Sequence, residues 1–220
     1  SPESFRQIAD ELTESKSAEF HEKWVVGYGH SSVAEHAVLH IAFENVSRLA
    51  IEAIESNRLA SYTEKSTRYQ TWAPDSFYTP PEIAASRFGD LYRDTCAHLF
   101  RTYQESLEPL RAVVRRQYPR QPEESDARWD GRIRSRYVDA ARFLLPAAAL
   151  ANVGMTVNAR ALEHSLRKML SHPLAEVRDI GQEARQVARG EVPTLVKYAD
   201  RAPYLAETQA ALSALAVGVG

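Results

Sequence analysis

The chain has 220 residues, 44% of them hydrophobic, enough for one sizeable core or two small ones. Asp and Glu number 29 against 27 for Lys and Arg, a formal charge of −2 that argues against an extended nucleic-acid surface. Cys96 is the only cysteine, which excludes a disulfide framework and a multi-cysteine metal site within one chain.

No run approaches the roughly 20 apolar residues that cross a bilayer, and the start lacks the basic and apolar regions of a secretory signal. The expectation is a soluble, cytoplasmic protein without a membrane partner. Of the basic residues 22 are Arg and 5 are Lys. A high-GC genome and a need for anion-binding forks both give that skew, so individual arginines have to be judged by their neighbours.

Taken in chain order, Ile8, Leu12, Phe20, Trp24 and Val25 suggest one interrupted or two short amphipathic helices, broken at Tyr28 to Ser32. Val33 to Ile54 is an apolar, helix-compatible run, although Phe43 and Val46 also suit a strand. Glu55 to Gln70 is polar and dense in donors and acceptors. Pro74, Pro80 and Pro81 mark an irregular connection into a long helix over about 82–116, with Pro109 as an internal bend. A second hairpin arm is predicted over about 124–145, ended by Pro146. Thr156 and Val157 lead to Asn158, an N-cap for a helix over 159–169. A last strong helix is predicted over about 174–189, and residues 201–220 form an Ala-rich tail. Nothing in this order is an internal repeat or a domain linker, so residues 1–200 read as a single domain.

The chemistry-bearing residues concentrate in four stretches. Gly29, His30, Ser31 and Ser32 group compact donors on a turn, for a ligand or simply to tie the turn to nearby carbonyls. His30 and His36 lack the four-residue spacing of a zinc protease helix, and no metal is expected. Ser61, Glu64, Ser66, Arg68 and Tyr69, with Arg58 upstream, supply the donors a phosphate needs, and a solvated polar turn would use the same residues. Arg142 sits between Ala141 and Phe143-Leu144-Leu145, so it either reaches an anion from a packed helix or pairs with an internal acid. Asn158 and Arg160 flank a helix start, where free N–H groups favour an anion and ordinary capping competes. No Walker motif, dinucleotide glycine fingerprint or nucleophile elbow is present.

In this order the stretches resemble the flavin-dependent thymidylate synthase family, ThyX. The likeness runs from Gly29-His30-Ser31-Ser32-Val33-Ala34-Glu35-His36 and Ser47-Arg48 through Arg58-Leu59-Ala60-Ser61-Tyr62-Thr63-Glu64-Lys65-Ser66-Thr67-Arg68-Tyr69. It continues at Ala141 to Pro146 and Thr156 to Leu162, and covers about residues 20–200. The resemblance implies a helix-rich α/β (α+β) subunit with long helices and an antiparallel sheet, much of whose N-terminal strand segment is missing at the start of this sequence. It implies a homotetramer, or a larger multi-domain assembly in which a partner domain completes the site.

It also implies FAD, NADPH as reductant, and transfer of a one-carbon unit from methylenetetrahydrofolate to dUMP. Carried onto matching positions, His30, Ser32, Arg58, Glu64, Asn158, Arg160 and His164 would surround the flavin. Arg58 would support the reduced ring and His30 would line its site. Ser66, Arg68 and Arg142 would hold the nucleotide phosphate, with Ser61 beside them.

Several positions depart from the family pattern. Its Arg-His-Arg opening is Ser56-Asn57-Arg58, and the preceding glutamine is Ala53. A later asparagine is His164, and an expected arginine falls at Lys168-Met169, where Arg167 or Lys168 is the available replacement. The usual Gln-Trp-Glu is Leu174-Ala175-Glu176. Two alternatives therefore stand beside the enzyme: a divergent flavin- or nucleotide-binding homologue without the reaction, and a non-catalytic oligomer-forming domain.

Overall fold

A computed structural model describes residues 6, 7, 10, 13–27, 30–65, 67 and 72–217. The elements in order are α1 (Glu14–His21), a π-helical turn (Glu22–Gly27), a 3-10 turn (Ser31–Glu35), β1 (Val38–Ser47), α2 (Arg48–Glu55) and β2 (Ala60–Glu64). Then follow α3 (Pro81–Ala84), α4 (Gly89–Gln117), α5 (Asp126–Ala141), a 3-10 turn (Arg142–Leu144), β3 (Leu150–Asn158), α6 (Ala159–Leu170), α7 (Ala175–Glu191) and α8 (Pro203–Val217). The fold is a helix-rich α/β arrangement with one small antiparallel sheet of strand order β1-β3-β2.

The run from Val33 to Ile54 is not one helix. Leu39, Ile41 and Phe43 turn inward along β1 with exposed residues between them, a two-residue period that holds until Asn45 and outweighs the helical spacing that Ala34, Ala37, Val38 and Ile41 suggest. Asn45, at φ 56°, sits in the left-handed region that Asn tolerates better than most residues, and its N–H donates to Asn152 Oδ1 at 2.7 Å. Helix resumes only at Arg48. Thr156 and Val157 likewise belong to a strand: in β3, Ala151, Val153, Met155 and Val157 are buried at every second position.

The chain forms two compact units. The first contains residues 1–41, 53–62 and 154–220. Within it α6 and α7 pack as a pair, burying Leu162, Leu166 and Met169 with Val177, Ala184 and Ala188. The two helices meet at Gly181, where an added Cβ would stand 2.9 Å from Met169 Cβ. Ser171, buried in the same unit, accepts from the Ala202 N–H at 2.8 Å and donates to the Arg167 carbonyl at 2.7 Å.

The second unit, residues 42–52 and 63–153, is built on the helical hairpin of α4 and α5. Trp72, Phe100, Tyr103, Ala141 and Ala149 form its core, with Phe77, Leu107, Leu110, Leu144 and Leu145 packed against them. Trp72 is placed by polar contacts as well as burial: its indole N–H donates to the Leu150 carbonyl, and its own carbonyl accepts from Gln104, both at 2.9 Å. Pro109 lies inside α4, which continues on both sides of it, and Ser125 caps α5 by accepting from the Arg128 N–H at 3.3 Å.

Candidate functional site

In the first unit, one wall of a groove is the start of α6. Asn158 leaves β3 with extended backbone, and its Oδ1 accepts from the Ala161 N–H at 2.8 Å, capping the helix. That cap projects Arg160 and His164, one turn apart, together with Lys168 a further turn on. The opposite wall is the turn from Ser56 to Ala60. The space between holds about 700 Å³ and is also lined by Glu35, a volume in the ordinary range for a small-molecule site.

Local chemistry fixes that turn. The Tyr62 hydroxyl lies 2.9 Å from the Ile54 carbonyl oxygen and 2.8 Å from that of Asn57. Burial, and then the nearby Glu55 carboxylate, push the Tyr62 phenol up, so it stays a neutral donor. Asn57 is buried. Its Nδ2 donates to the Ile54 carbonyl at 3.1 Å and to Ser165 Oγ at 2.8 Å, tying the turn to α6.

The groove is positively biased. Arg160 is ion-paired with Glu35. Arg58, exposed on the turn, meets no acid among the described residues. Among the described residues Lys168 donates to neutral oxygens alone, Ser56 Oγ at 3.1 Å and Asn57 Oδ1 at 3.2 Å. Three cations against one carboxylate leave the groove with an excess of positive charge, which favours an anion.

His30 caps the 3-10 turn, its ring centroid 5.9 Å from that of Trp24 and its N–H donating to the Trp24 carbonyl at 2.9 Å. Ser32 is exposed on the same turn, and Ser61 is exposed on β2.

The second unit has a cavity of its own, about 600 Å³, lined by Arg48, Glu64, Thr67, Trp72, Arg142 and Phe143 among others. Arg142 donates to Thr67 Oγ1 and pairs with Asp139, each at 2.7 Å. Its Nε–H is buried and meets no acceptor among the described residues, an orphan that suits an incoming oxyanion. Glu64 is held by Arg48, which also bonds Glu52 at 3.0 Å. Ser66 and Arg68 lie outside the described residues.

Arg58, Asn158, Arg160 and His164 therefore line one groove, while Glu64 and Arg142 line the other cavity. The sequence reading missed Glu35, Arg48, Ser56, Asn57 and Thr67 as lining residues. Arg48 and Glu52 are four apart on a helix, a legible pair. The Glu35–Arg160 and Asn57–Ser165 contacts join residues more than a hundred positions apart and have no local signal. Among the described residues no group of three or more His, Cys, Asp or Glu side chains is placed to hold a metal ion, and no helix is long and apolar enough to cross a membrane.

Known proteins match this sequence over most of its length. The chain is 35% identical over 196 residues to a UPF0159 protein of Chlamydia muridarum, covering 86% of this chain and 37% of that protein. It is 28% identical over 217 residues to a UPF0159 protein of Thermoplasma acidophilum, covering 84% of this chain and 43% of that one. It is also 25% identical over 211 residues to the flavin-dependent thymidylate synthase of Pyrococcus abyssi, covering 92% of this chain and 74% of that enzyme. The chain thus spans less than half the length of the two UPF0159 proteins. The family described as thymidylate synthase complementing protein matches residues 1–194, and the chain belongs to that family.

Proposed function

We propose that the chain is a flavin-dependent thymidylate synthase-like enzyme that moves a one-carbon unit from methylenetetrahydrofolate to dUMP, with FAD as cofactor and NADPH as reductant. The observation that carries the reading is the groove along α6, where Arg58 and Lys168 meet no carboxylate among the described residues. Its donor set fits a dianionic pyrophosphate beside a polar ring system: three cations and the His164 imidazole. When bound, FAD supplies the redox and one-carbon chemistry that no side chain here provides.

The protein's part is binding and orientation. Arg58 supports negative charge on the ring, Asn158 and Arg160 order the diphosphate at the helix start, and His164 adds a ring N–H donor. His30 and Ser32 complete the cofactor contacts from their turn. In the second unit Arg142 takes the phosphate of dUMP on its orphan Nε–H, aided by Ser66 and Arg68, and Glu64 keeps Arg48 in place. Residues 1–200 act as the catalytic domain and 201–220 as an appended tail. The working assembly is a homotetramer or a larger multi-domain form, in keeping with the greater length of the UPF0159 proteins.

Purified protein should carry a flavin absorbance spectrum and form dTMP from dUMP when supplied with methylenetetrahydrofolate, FAD and NADPH. Arg58→Ala should lower flavin occupancy, and Arg68→Ala should weaken dUMP more than FAD. Saturable FAD binding without dTMP formation would favour the second reading, a binding homologue without the reaction. One observation favours that reading: Asn57, at a signature position, turns its amide inward to Ile54 and Ser165.

A further inference from the structure

Asn57 and Ser56 occupy positions where two basic side chains of the resemblance are absent, and both point at the same cation. The Asn57 amide has one orientation that satisfies every neighbour. Nδ2 faces two acceptors, the Ile54 carbonyl and Ser165 Oγ, while Oδ1 faces the Lys168 ammonium at 3.2 Å. Reversing it would set an NH₂ against an NH₃⁺. Asn57 is only 8% exposed, so the amide is fixed by packing as well as by hydrogen bonds. Ser56, exposed on the turn, donates to the Ala53 carbonyl at 2.7 Å and so offers its lone pairs to Lys168 at 3.1 Å.

We propose that Asn57 is a positioning residue that, with Ser56, presents the Lys168 ammonium to the groove as the anchor for a phosphate oxygen of the ligand. Only its naming of that ligand as a flavin dinucleotide rests on the function proposed above.

Three observations distinguish an anchor from a simple tether between the turn and α6. Asn57 already makes that tether through Ser165, so Lys168 adds nothing to it. Lys168 is met by neutral oxygens alone among the described residues, which orient an ammonium without cancelling its charge. It lines the same groove as Arg58 and Arg160, although the adjacent Arg167 is exposed and would keep a positive charge on α6 without crowding the groove.

The test measures inorganic pyrophosphate, FAD and riboflavin binding by calorimetry on the full chain. Wild type and Lys168→Arg should bind pyrophosphate, and Lys168→Met should lose at least tenfold in affinity. Ser56→Asp places a carboxylate beside the ammonium from an exposed position, leaves the core untouched, and should cause a comparable loss. In all the weakened variants FAD affinity should fall at least tenfold while riboflavin, which has no phosphate, changes less than twofold. Asn57→Ala should show the same split. A merely structural role for Asn57 would weaken FAD and riboflavin together.

Pyrophosphate affinity equal in wild type, Lys168→Met and Ser56→Asp would overturn the proposal, as would a wild type that binds no pyrophosphate. Pyrophosphate binding that depends on Lys168 in a protein that ignores FAD would keep the anchor and remove the flavin reading. Tight FAD binding indifferent to Lys168 would do the reverse.

Discussion

Arginine is spread along this chain, but the two units use their cations differently. On the α4–α5 hairpin several cations are matched by acids. Arg111 and Arg115 share Asp130, Arg120 meets Asp126, and Arg132 grips the buried Glu124 carboxylate through Nε at 2.8 Å and Nη2 at 2.7 Å. Guanidinium groups also lie over aromatic rings there, Arg115 over Trp129 at 4.2 Å and Arg136 over Tyr118 at 4.1 Å. In the groove along α6, Arg58 and Lys168 find no acid among the described residues. Paired cations stabilise the unit that contains them. Unpaired cations gathered in a concavity cost self-repulsion, and a bound anion removes that cost.

The largest expected effect is on ligand affinity. Replacing Arg58 with Ala should cost about 2–5 kcal/mol in flavin binding, the loss typical of a desolvated charged contact. Because Arg58 is exposed, its effect on folding should stay within about 0.5 kcal/mol. Titration with FAD alongside thermal melting separates the two, and a fall in stability with flavin affinity intact would place Arg58 with the hairpin arginines.

Next comes Gly181→Ala. The new methyl would press on Met169 and the α6 backbone, at a cost of about 1–3 kcal/mol. Since α6 carries Arg160, His164 and Lys168, ligand affinity should fall as well. Denaturant melts and pyrophosphate titration read the two effects, and an unchanged affinity would uncouple helix packing from the groove.

The hairpin should show its dependence on pairing through pH. Hydrogen bonds from Arg132 hold the Glu124 carboxyl down at about 2, well below the ordinary carboxylate range. A carboxylate depressed on folding stabilises the protein above its unfolded value of about 4.3, and that contribution is lost as pH falls towards 2. Glu124→Gln should therefore lower the melting temperature at pH 7, and the gap to wild type should close in acid. A gap independent of pH would mean that Glu124 acts through shape and not charge.

The smallest effect belongs to His172, in the turn between α6 and α7. Burial, then the positive charges of Arg178 and Lys168, lower its pKa, and its Nδ1 accepts from the Leu174 N–H at 3.2 Å. A base depressed on folding costs nothing above its unfolded value of about 6.5, and destabilises progressively as pH falls below that, when the unfolded chain takes up the proton first. His172→Asn should flatten the stability profile between pH 7 and 5, and an unaltered slope would remove His172 from the account.

Legibility in the sequence followed the range of the interaction. The long helices, apart from the break at 85–88 in the stretch predicted as one helix, and the Asn158 cap were readable because spacing and capping chemistry are local signals. Val33 to Ile54 misled because Ala and Val satisfy two periodicities at once, and pairing with β3, more than a hundred residues away, decides for a strand. Of the two readings left open at Arg142, pairing with an acid is met by Asp139, and the Nε–H without an acceptor among the described residues leaves the anion reading as a proposal. The positions of Ser56 and Asn57 could be seen only as substitutions. Their partners, Ser165 and Lys168, lie on a helix that the chain brings back much later.

The helix α8 has a consequence of a different kind. None of its residues is buried, and Leu212, Leu215 and Val217 stand open to water along it. A fifteen-residue helix with no fully buried residue sits near the length at which helical order in water is marginal. Its ellipticity should fade gradually on warming, ahead of the cooperative melting of both units. Residues 203–217 contain no Lys or Arg, so trypsin should spare the segment while chymotrypsin trims it at Tyr204 and the leucines.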